Sequence, residues 1–459
     1  MHEDEINSQM LAEADLLRAR DLAVLWHPCT QMAEHPDVLP LVPIRRGRGA
    51  WLEGVDGRQY LDAVSSWWTN LFGHGEPRIA AAIGRQALEL EHVIFAGFSH
   101  EPGVRLAEAL LRVAPAGLAR VFYADNGSAA IEVALKMSFH SFLNRGQPRR
   151  QRFIALHNGY HGETIGALSM GDIPLYRRTY APLLLDPLFA PSPDAYDAAP
   201  GESAEAYALR CADRLADIFA GNDGEICALV LEPLVQCAGG MRMYHPAYLR
   251  RAREICTAHG AHLIADEIAV GFGRTGTMFA CEQAGISPDF LCLSKGLTGG
   301  FMPMSAVLTT TAVYEDFLDE SRDRAFLHSH SYTGNPLGCA AALASLAIFE
   351  SEPVLERNAA TALRMAALAE PLRDCRNVAE VRQTGMILAI EMVADRASRR
   401  PFAASERRGL RAYRHALSEG VVLRPLGDVL YWMPPYCIDE QALARLALVT
   451  RSALREACA

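Results

Sequence analysis

An α/β fold, with a mostly parallel sheet covered by helices on both faces, follows from three observations on the sequence. Between Arg120 and Thr310, short apolar runs alternate with stretches of helical periodicity, the strand-helix-strand order that a parallel sheet requires. Two of these runs, one starting at His262 and the other at Pro288, each deliver an ionisable residue at the carboxyl end, Asp266 and Lys295. The carboxyl edge of such a sheet is where ligands sit. In the third, Arg120 to Ala124 reads as a strand ending in Asp125-Asn126-Gly127-Ser128, and Ala129 to Leu143 then carries apolar residues at helical spacing.

The chain of 459 residues exceeds one compact pair of layers and suggests about two or three domains. Residues 65–346 are expected to form a large domain, with 1–64 and 347–459 joining into a small α+β domain drawn from both chain ends. Half the residues are hydrophobic and 21% charged, an ordinary globular composition. A formal charge of −10, with no long Lys/Arg block to offset it, argues against a nucleic-acid or membrane partner. The acidic start Met1-His2-Glu3-Asp4-Glu5 lacks the basic and apolar regions of a signal peptide, and no apolar run reaches membrane-spanning length. The 11 cysteines are scattered and show no Cys-x-x-Cys pair, which fits reduced thiols in a cytoplasmic protein better than disulfides or a metal site.

Taken in order, a charged helical stretch from Leu11 to Leu25 precedes a hairpin-like segment, Ile44 to Leu61, with turn signals at Gly47, Gly49, Gly54 and Asp56-Gly57. These strands are too few to make a core alone and are expected to join the C-terminal part. Trp67 and Trp68 follow; in a strand, adjacent side chains point to opposite sides, so one of the two should line a cavity or an interface. Helices are expected at Glu76–Leu90 and Gly103–Val113, and a strand at Arg152–His157 that leads to Tyr160, with His161 and Glu163 read only as helix-start residues. The Pro- and Asp-rich stretch Asp186–Ala204 reads as a surface excursion. A helix Glu205–Ala220, a strand Ile226–Leu231 ending at Glu232, a strand Ser305–Thr310 and a buried helix around Ala340–Phe349 complete the large domain. Short strands and helices return after Glu350, among them Val421–Leu426 with Arg424.

Each candidate residue also has a plain structural role. A lysine after a strand is usually a solvated turn residue, and an aspartate there often caps the next helix. Asn126-Gly127-Ser128 is equally a capped turn and a phosphate cradle, in which backbone N–H groups at a helix start face an anion. Tyr160 is a rim residue or a flat cover for a ring. Arg424 is a carboxylate clamp or the partner of a buried acid. What changes the balance is Asp266 and Lys295 together. A lysine amine that condenses with an aldehyde, opposite a carboxylate that keeps a pyridine nitrogen protonated, is what pyridoxal 5′-phosphate requires.

Asp266-Glu267-Ile268-Ala269-Val270-Gly271-Phe272-Gly273-Arg274-Thr275-Gly276, followed by Ser294-Lys295-Gly296-Leu297-Thr298-Gly299-Gly300, resembles the signature of the class III aminotransferases, a fold-type I pyridoxal phosphate family. The resemblance covers nearly the whole chain and implies a large domain with a seven-stranded type of sheet. It implies that Lys295 carries the cofactor, Asp266 holds the pyridinium, Tyr160 covers the ring, and Gly127-Ser128 binds the phosphate. It further implies a homodimer with active sites at the interface, in which Ser331, where the family usually has threonine, reaches the phosphate of the neighbouring subunit. Within the family, Trp26-His27-Pro28, Ser65-Ser66-Trp67-Trp68, Arg424-Pro425-Leu426-Gly427 and Tyr431 look like members of the biotin pathway. Those members pass the amino group of S-adenosylmethionine to 8-amino-7-oxononanoate. On that resemblance Trp67, Trp68, Ser329, Arg424 and Tyr431 are substrate-side residues, with Arg424 taking the substrate carboxylate. Cys29 stands where a tyrosine often follows His-Pro and is left out of the site. A version using lysine as donor, or another ω-amino or diamine aminotransferase, shares the same core motifs.

Overall fold

A computed structural model describes the backbone from Glu3 to Ala459 and side chains from Ser8 onward; Met1 and His2 lie outside the described residues. The chain forms two compact units. One comprises residues 77–361 with 383–387, and the other 1–76, 362–382 and 388–459.

The larger unit is organised on a seven-stranded sheet. Its strands lie in the order Leu118–Ala124, Ser305–Thr310, Phe290–Leu293, His262–Asp266, Ile226–Leu231, Arg152–Leu156 and Leu188–Ala190. Neighbours from Phe290–Leu293 to Leu188–Ala190 pair in parallel, and Ser305–Thr310 runs antiparallel to both of its neighbours. The central strands are buried along their whole length, as expected where helices cover both faces of a parallel sheet. Helix Gly127–Asn144 packs into this core with Ile131, Ala134, Leu135 and Phe142.

One expectation is corrected. Leu188–Ala190, inside the stretch read as a surface excursion, is the edge strand, paired in parallel with Ile154–Leu156. Three residues between prolines and aspartates are too few to show a period.

In the smaller unit Ile44–Arg48, Trp51–Gly54 and Gln59–Asp62 form an antiparallel set, and Val421–Val422 adds to Gln59–Asp62 in parallel. The two chain ends thus share one sheet, since a hairpin alone buries too little. A second sheet orders Val378–Thr384, Ile387–Met392 and Val429–Trp432. All 11 cysteines are free thiols, seven of them buried. Among the described residues no single helix is long and apolar enough to cross a membrane.

Candidate active site

Within the larger unit, three chain segments meet at the carboxyl edge of the sheet. His262–Asp266 ends beside Cys292 on its neighbour, and the backbone N–H of Glu267 donates to the Cys292 carbonyl at 3.0 Å. Three residues past Cys292 the chain turns at Lys295, whose φ of 44° lies in the left-handed region. Lys295 keeps a partly accessible surface, yet its surroundings strip water from the ammonium. That desolvation lowers its pKa against the opposing fields of Cys237, Asp266 and Glu232.

Asp266 is buried and has a partner that the sequence did not reveal. His161 Nδ1 lies 2.7 Å from Asp266 Oδ2, and Ile268 N–H donates to Asp266 Oδ1 at 3.1 Å. Burial opposes charge on His161, but the hydrogen bond to Asp266 and the fields of Asp266 and Glu232 outweigh it and raise its pKa. Its other ring nitrogen, Nε2, is buried with no hydrogen-bond partner among the described residues. The sequence presents His161 only as a helix-start residue; the available signal is its place one step past Tyr160, after strand Arg152–Leu156, which lies one strand removed from His262–Asp266. Glu232, at the end of the intervening strand, accepts from the backbone N–H groups of Tyr160 at 3.0 Å and Cys237 at 2.9 Å. Burial pushes its pKa up to about 7.

The second segment carries Tyr160, whose hydroxyl donates to Glu163 Oε1 at 3.1 Å. The third is the start of helix Gly127–Asn144, where the Asn126 side chain accepts from Ala129 N–H at 3.0 Å. The N–H groups of Gly127 and Ser128 have no partner among the described residues, as the geometry of a helix start dictates. The segments touch closely. A Cβ on Gly162 would fall 2.0 Å from Ser128 Oγ, and one on Gly127 would fall 3.0 Å from Ile268 Cγ2. Glu163 N–H donates to Ser128 Oγ at 3.2 Å. His330 Nδ1 stands 2.9 Å from Asp125 Oδ2, so the stretch around Ser329 and Ser331 passes beside this helix start. Both serines are exposed.

Glu267, one residue beyond Asp266, is fully buried and accepts from Ala280 N–H at 2.6 Å and Cys281 N–H at 2.8 Å. Burial raises its pKa to about 7 despite those bonds. Because the folded value lies above the unfolded one, this group's contribution to stability is complete below the unfolded pKa. It is lost as pH rises towards 7. The loss is expected to reach about 3 kcal/mol by linkage. Denaturant titrations between pH 4.5 and 8 should show this decline, and Glu267→Gln should remove this group's share of it while leaving that of Glu232, whose raised pKa lies in the same range.

In the smaller unit the tryptophan pair is not in a strand. Ser65, Ser66, Trp67 and Trp68 have φ of 51°, 45°, 74° and 71°, a left-handed turn closed by Trp68 N–H to the Val64 carbonyl at 2.9 Å and Thr69 N–H to the Ser65 carbonyl at 3.0 Å. In this turn the two rings take different environments: Trp68 is 3% exposed and Trp67 38%. Trp68 Nε1–H donates to Tyr431 Oη at 3.0 Å, and the Arg424 guanidinium lies 4.5 Å from the Trp67 ring centre. Four of the five residues read as substrate-side are therefore assembled in pairs. Left-handed backbone costs L-residues roughly 1–2 kcal/mol each, and such strain concentrates at functional sites.

A mostly parallel sheet that brings a desolvated lysine and a buried aspartate to adjoining strand ends has the fold of the pyridoxal phosphate-dependent transaminases. The chain belongs to the class-III aminotransferase family, whose model matches residues 32–453. It is 45% identical over 441 residues to adenosylmethionine-8-amino-7-oxononanoate aminotransferase of Nitratidesulfovibrio vulgaris, covering 95% of this chain and 81% of that one. The solved structure of the enzyme of the same name from Methanocaldococcus jannaschii superposes with a TM-score of 0.91 at 35% identity, over 96% of this chain and 99% of the other. An omega transaminase from Pseudomonas jessenii in complex with PMP gives the same TM-score at 31% identity, over 96% and 98%.

Proposed function

We propose that the chain binds pyridoxal 5′-phosphate on Lys295 and moves the amino group of S-adenosylmethionine to 8-amino-7-oxononanoate, giving 7,8-diaminononanoate. The observation that carries the cofactor assignment is the convergence of Lys295, the Asp266–His161 pair and the Gly127-Ser128 helix start. The residues present fit this group. Partnerless N–H groups and the positive helix end suit a phosphate. A lysine of lowered pKa suits a carbonyl, because only the neutral amine condenses. When bound, the cofactor supplies an electron sink for the carbanion that loss of the substrate α-proton creates.

With the cofactor held there, the Lys295 amine would take the proton from the substrate α-carbon as general base and, as general acid, deliver it to the former aldehyde carbon of the cofactor rather than back to the α-carbon. Asp266 holds a proton on the ring nitrogen, and His161 fixes that carboxylate in place. Tyr160 covers the ring, with its hydroxyl aimed by Glu163. Trp67, Ser329 and Arg424 face the substrates, Arg424 taking the acceptor's carboxylate, whereas Trp68 and Tyr431, also read as substrate-side, are buried against each other and support Trp67 from within. The substrate assignment rests on the names of the relatives and on the paired aromatic cluster, because the fold alone is shared with omega transaminases. The same reading places the enzyme in the cytoplasm.

The experiment is a single-turnover one: the absorbance of the lysine-bound cofactor should disappear on adding S-adenosylmethionine and return on adding 8-amino-7-oxononanoate. A parent that reacts readily with lysine and not with S-adenosylmethionine would overturn the donor. One that reacts with neither, but with simple ω-amines, would move the chain to another branch of the family.

The same reading includes a homodimer. Ile94, Phe98, Leu327 and Tyr332 are exposed, and their segments adjoin through His92, whose ring lies tilted with its centre 5.0 Å from that of Tyr332, and through Asn335 Nδ2–H bonded to the Glu91 carbonyl at 3.0 Å. An apolar surface of this kind suits burial against a second copy. Ser331→Ala is expected to weaken cofactor retention by about 1.5–3 kcal/mol, the worth of a hydrogen bond to a charged group. Dialysis at graded cofactor concentration measures it, and a fully active monomer in sedimentation would exclude the shared site.

A further inference from the structure

We propose that Asp62 and His74 are positioning residues that hold the left-handed turn Ser65–Trp68 and so set how Trp67 meets the amine donor. The inference rests on the reading of Trp67 as a substrate-facing residue. It goes beyond that reading in assigning a task to groups that touch no substrate.

The turn contains no glycine, so nothing in its own sequence favours positive φ, and an outside support is needed. Asp62 supplies it. Its Oδ1 accepts from Ser66 N–H at 3.0 Å and from Val64 N–H at 3.3 Å, and its Oδ2 accepts from Ser66 Oγ–H at 2.7 Å. These bonds tie the residue immediately before Trp67 to the end of strand Gln59–Asp62. Ser65 Oγ–H donates to the Met433 carbonyl at 2.7 Å and fixes the entry to the turn.

Asp62 is fully buried, and a buried carboxylate needs a hydrogen-bonding counterpart. His74 provides it through a directional relay. Gly73 N–H donates to Asn70 Oδ1 at 2.7 Å, which aims the Asn70 amide nitrogen at His74 Nδ1, 3.1 Å away. That ring nitrogen therefore accepts, and the proton sits on Nε2, which donates to Asp62 Oδ2 at 3.0 Å. Burial works against the charge on Asp62, and the bonds from His74 and Ser66 overcome it, keeping its carboxyl below the usual range. The histidine is itself seated on the hairpin. His74 N–H and C=O both pair with Gly49, at 2.7 and 3.0 Å, and a Cβ on Gly47 would fall 2.7 Å from the His74 ring. The turn is thus braced from a rigid sheet through two side chains. Trp67 stays half-exposed with Arg424 against its ring, while Trp68 is locked inside by Tyr431.

The test uses the holoenzyme labelled with 5-fluorotryptophan, the Trp67 resonance being assigned with Trp67→Phe. In Asp62→Asn the new amide N–H faces the His74 and Ser66 donors. The Trp67 resonance should shift or broaden, and KM for the donor should rise about tenfold or more, since a hydrogen bond to a charged group is lost. Because Lys295 is untouched, kcat should stay within about twofold. His74→Leu should behave alike, and it decides the matter if Asp62→Asn does not fold. His74→Gln, which can still donate to Asp62, should stay near the parent. Adding Ser66→Gly to Asp62→Asn should recover most of the lost KM, because glycine enters the left-handed region without cost. Unchanged KM in folded Asp62→Asn and His74→Leu would overturn the proposal. So would a fall in kcat with KM unmoved. The donor in these measurements is whichever amine the parent accepts, so an error in the S-adenosylmethionine assignment shows in the parent and leaves this comparison intact.

Discussion

Lys295→Ala is expected to give a folded protein that forms no covalent linkage with pyridoxal phosphate and whose transamination falls by about 10³-fold or more, the general base and the covalent anchor being lost together. The position already tolerates a φ of 44° with a side chain, so alanine adds no new backbone strain. Asp266, His161 and Glu232 keep their mutual contacts, because the bonds that hold them run to each other and to the backbone. Borohydride reduction followed by peptide mapping should place the pyridoxyl label on Lys295 in the parent and on no residue in the variant. Lys295→Arg separates charge from chemistry: it restores a cation but stays protonated and cannot condense, so it should be as inactive as alanine. A label on another lysine, or substantial turnover by the alanine variant, would refute the assignment.

The parts of this fold that were legible in the sequence are those carried by long periodic signals. Uninterrupted apolar strands flanked by helical spacing gave the mostly parallel sheet, and Asp266 and Lys295 were visible because each ends such a strand. What escaped was local and tertiary. His161 looked like a helix-start residue because its meaning lies in Asp266, 105 positions away in the chain. Leu188–Ala190 is a strand only because Arg152–Leu156 offers it an edge. The turn Ser65–Trp68 was read with strand geometry because four consecutive left-handed residues without glycine contradict local propensity. They are held by Asp62, Met433 and Tyr431, and two of these come from the far end of the chain. A left-handed helical turn, not a pleat, sends one ring inward and leaves the other out.

Arg424→Ala is expected to have the second largest effect, and one that differs between the two half-reactions. Arg424 lies against the Trp67 ring at 4.5 Å, an arrangement in which the guanidinium is oriented by stacking and its N–H fork remains available for a carboxylate. The acceptor, 8-amino-7-oxononanoate, carries its one carboxylate at the far end of an apolar chain from the reacting 7-keto group, so this contact anchors that end. Removing the clamp should cost the acceptor half-reaction about 2–5 kcal/mol if the pair is desolvated. The donor should suffer less. Truncating Arg424 also uncovers Trp67, freeing its face for a sulfonium or an adenine, worth roughly 0.5–2 kcal/mol by cation–π attraction and stacking. Arg424→Lys should fall between, keeping the charge but losing the planar fork and most of the stacking. Half-reaction kinetics on the holoenzyme, with donor and acceptor followed separately through the cofactor absorbance, measure both arms. Equal losses in the two arms would mean that Arg424 acts mainly by holding Trp67 in place, and an unchanged acceptor rate would remove it from the site.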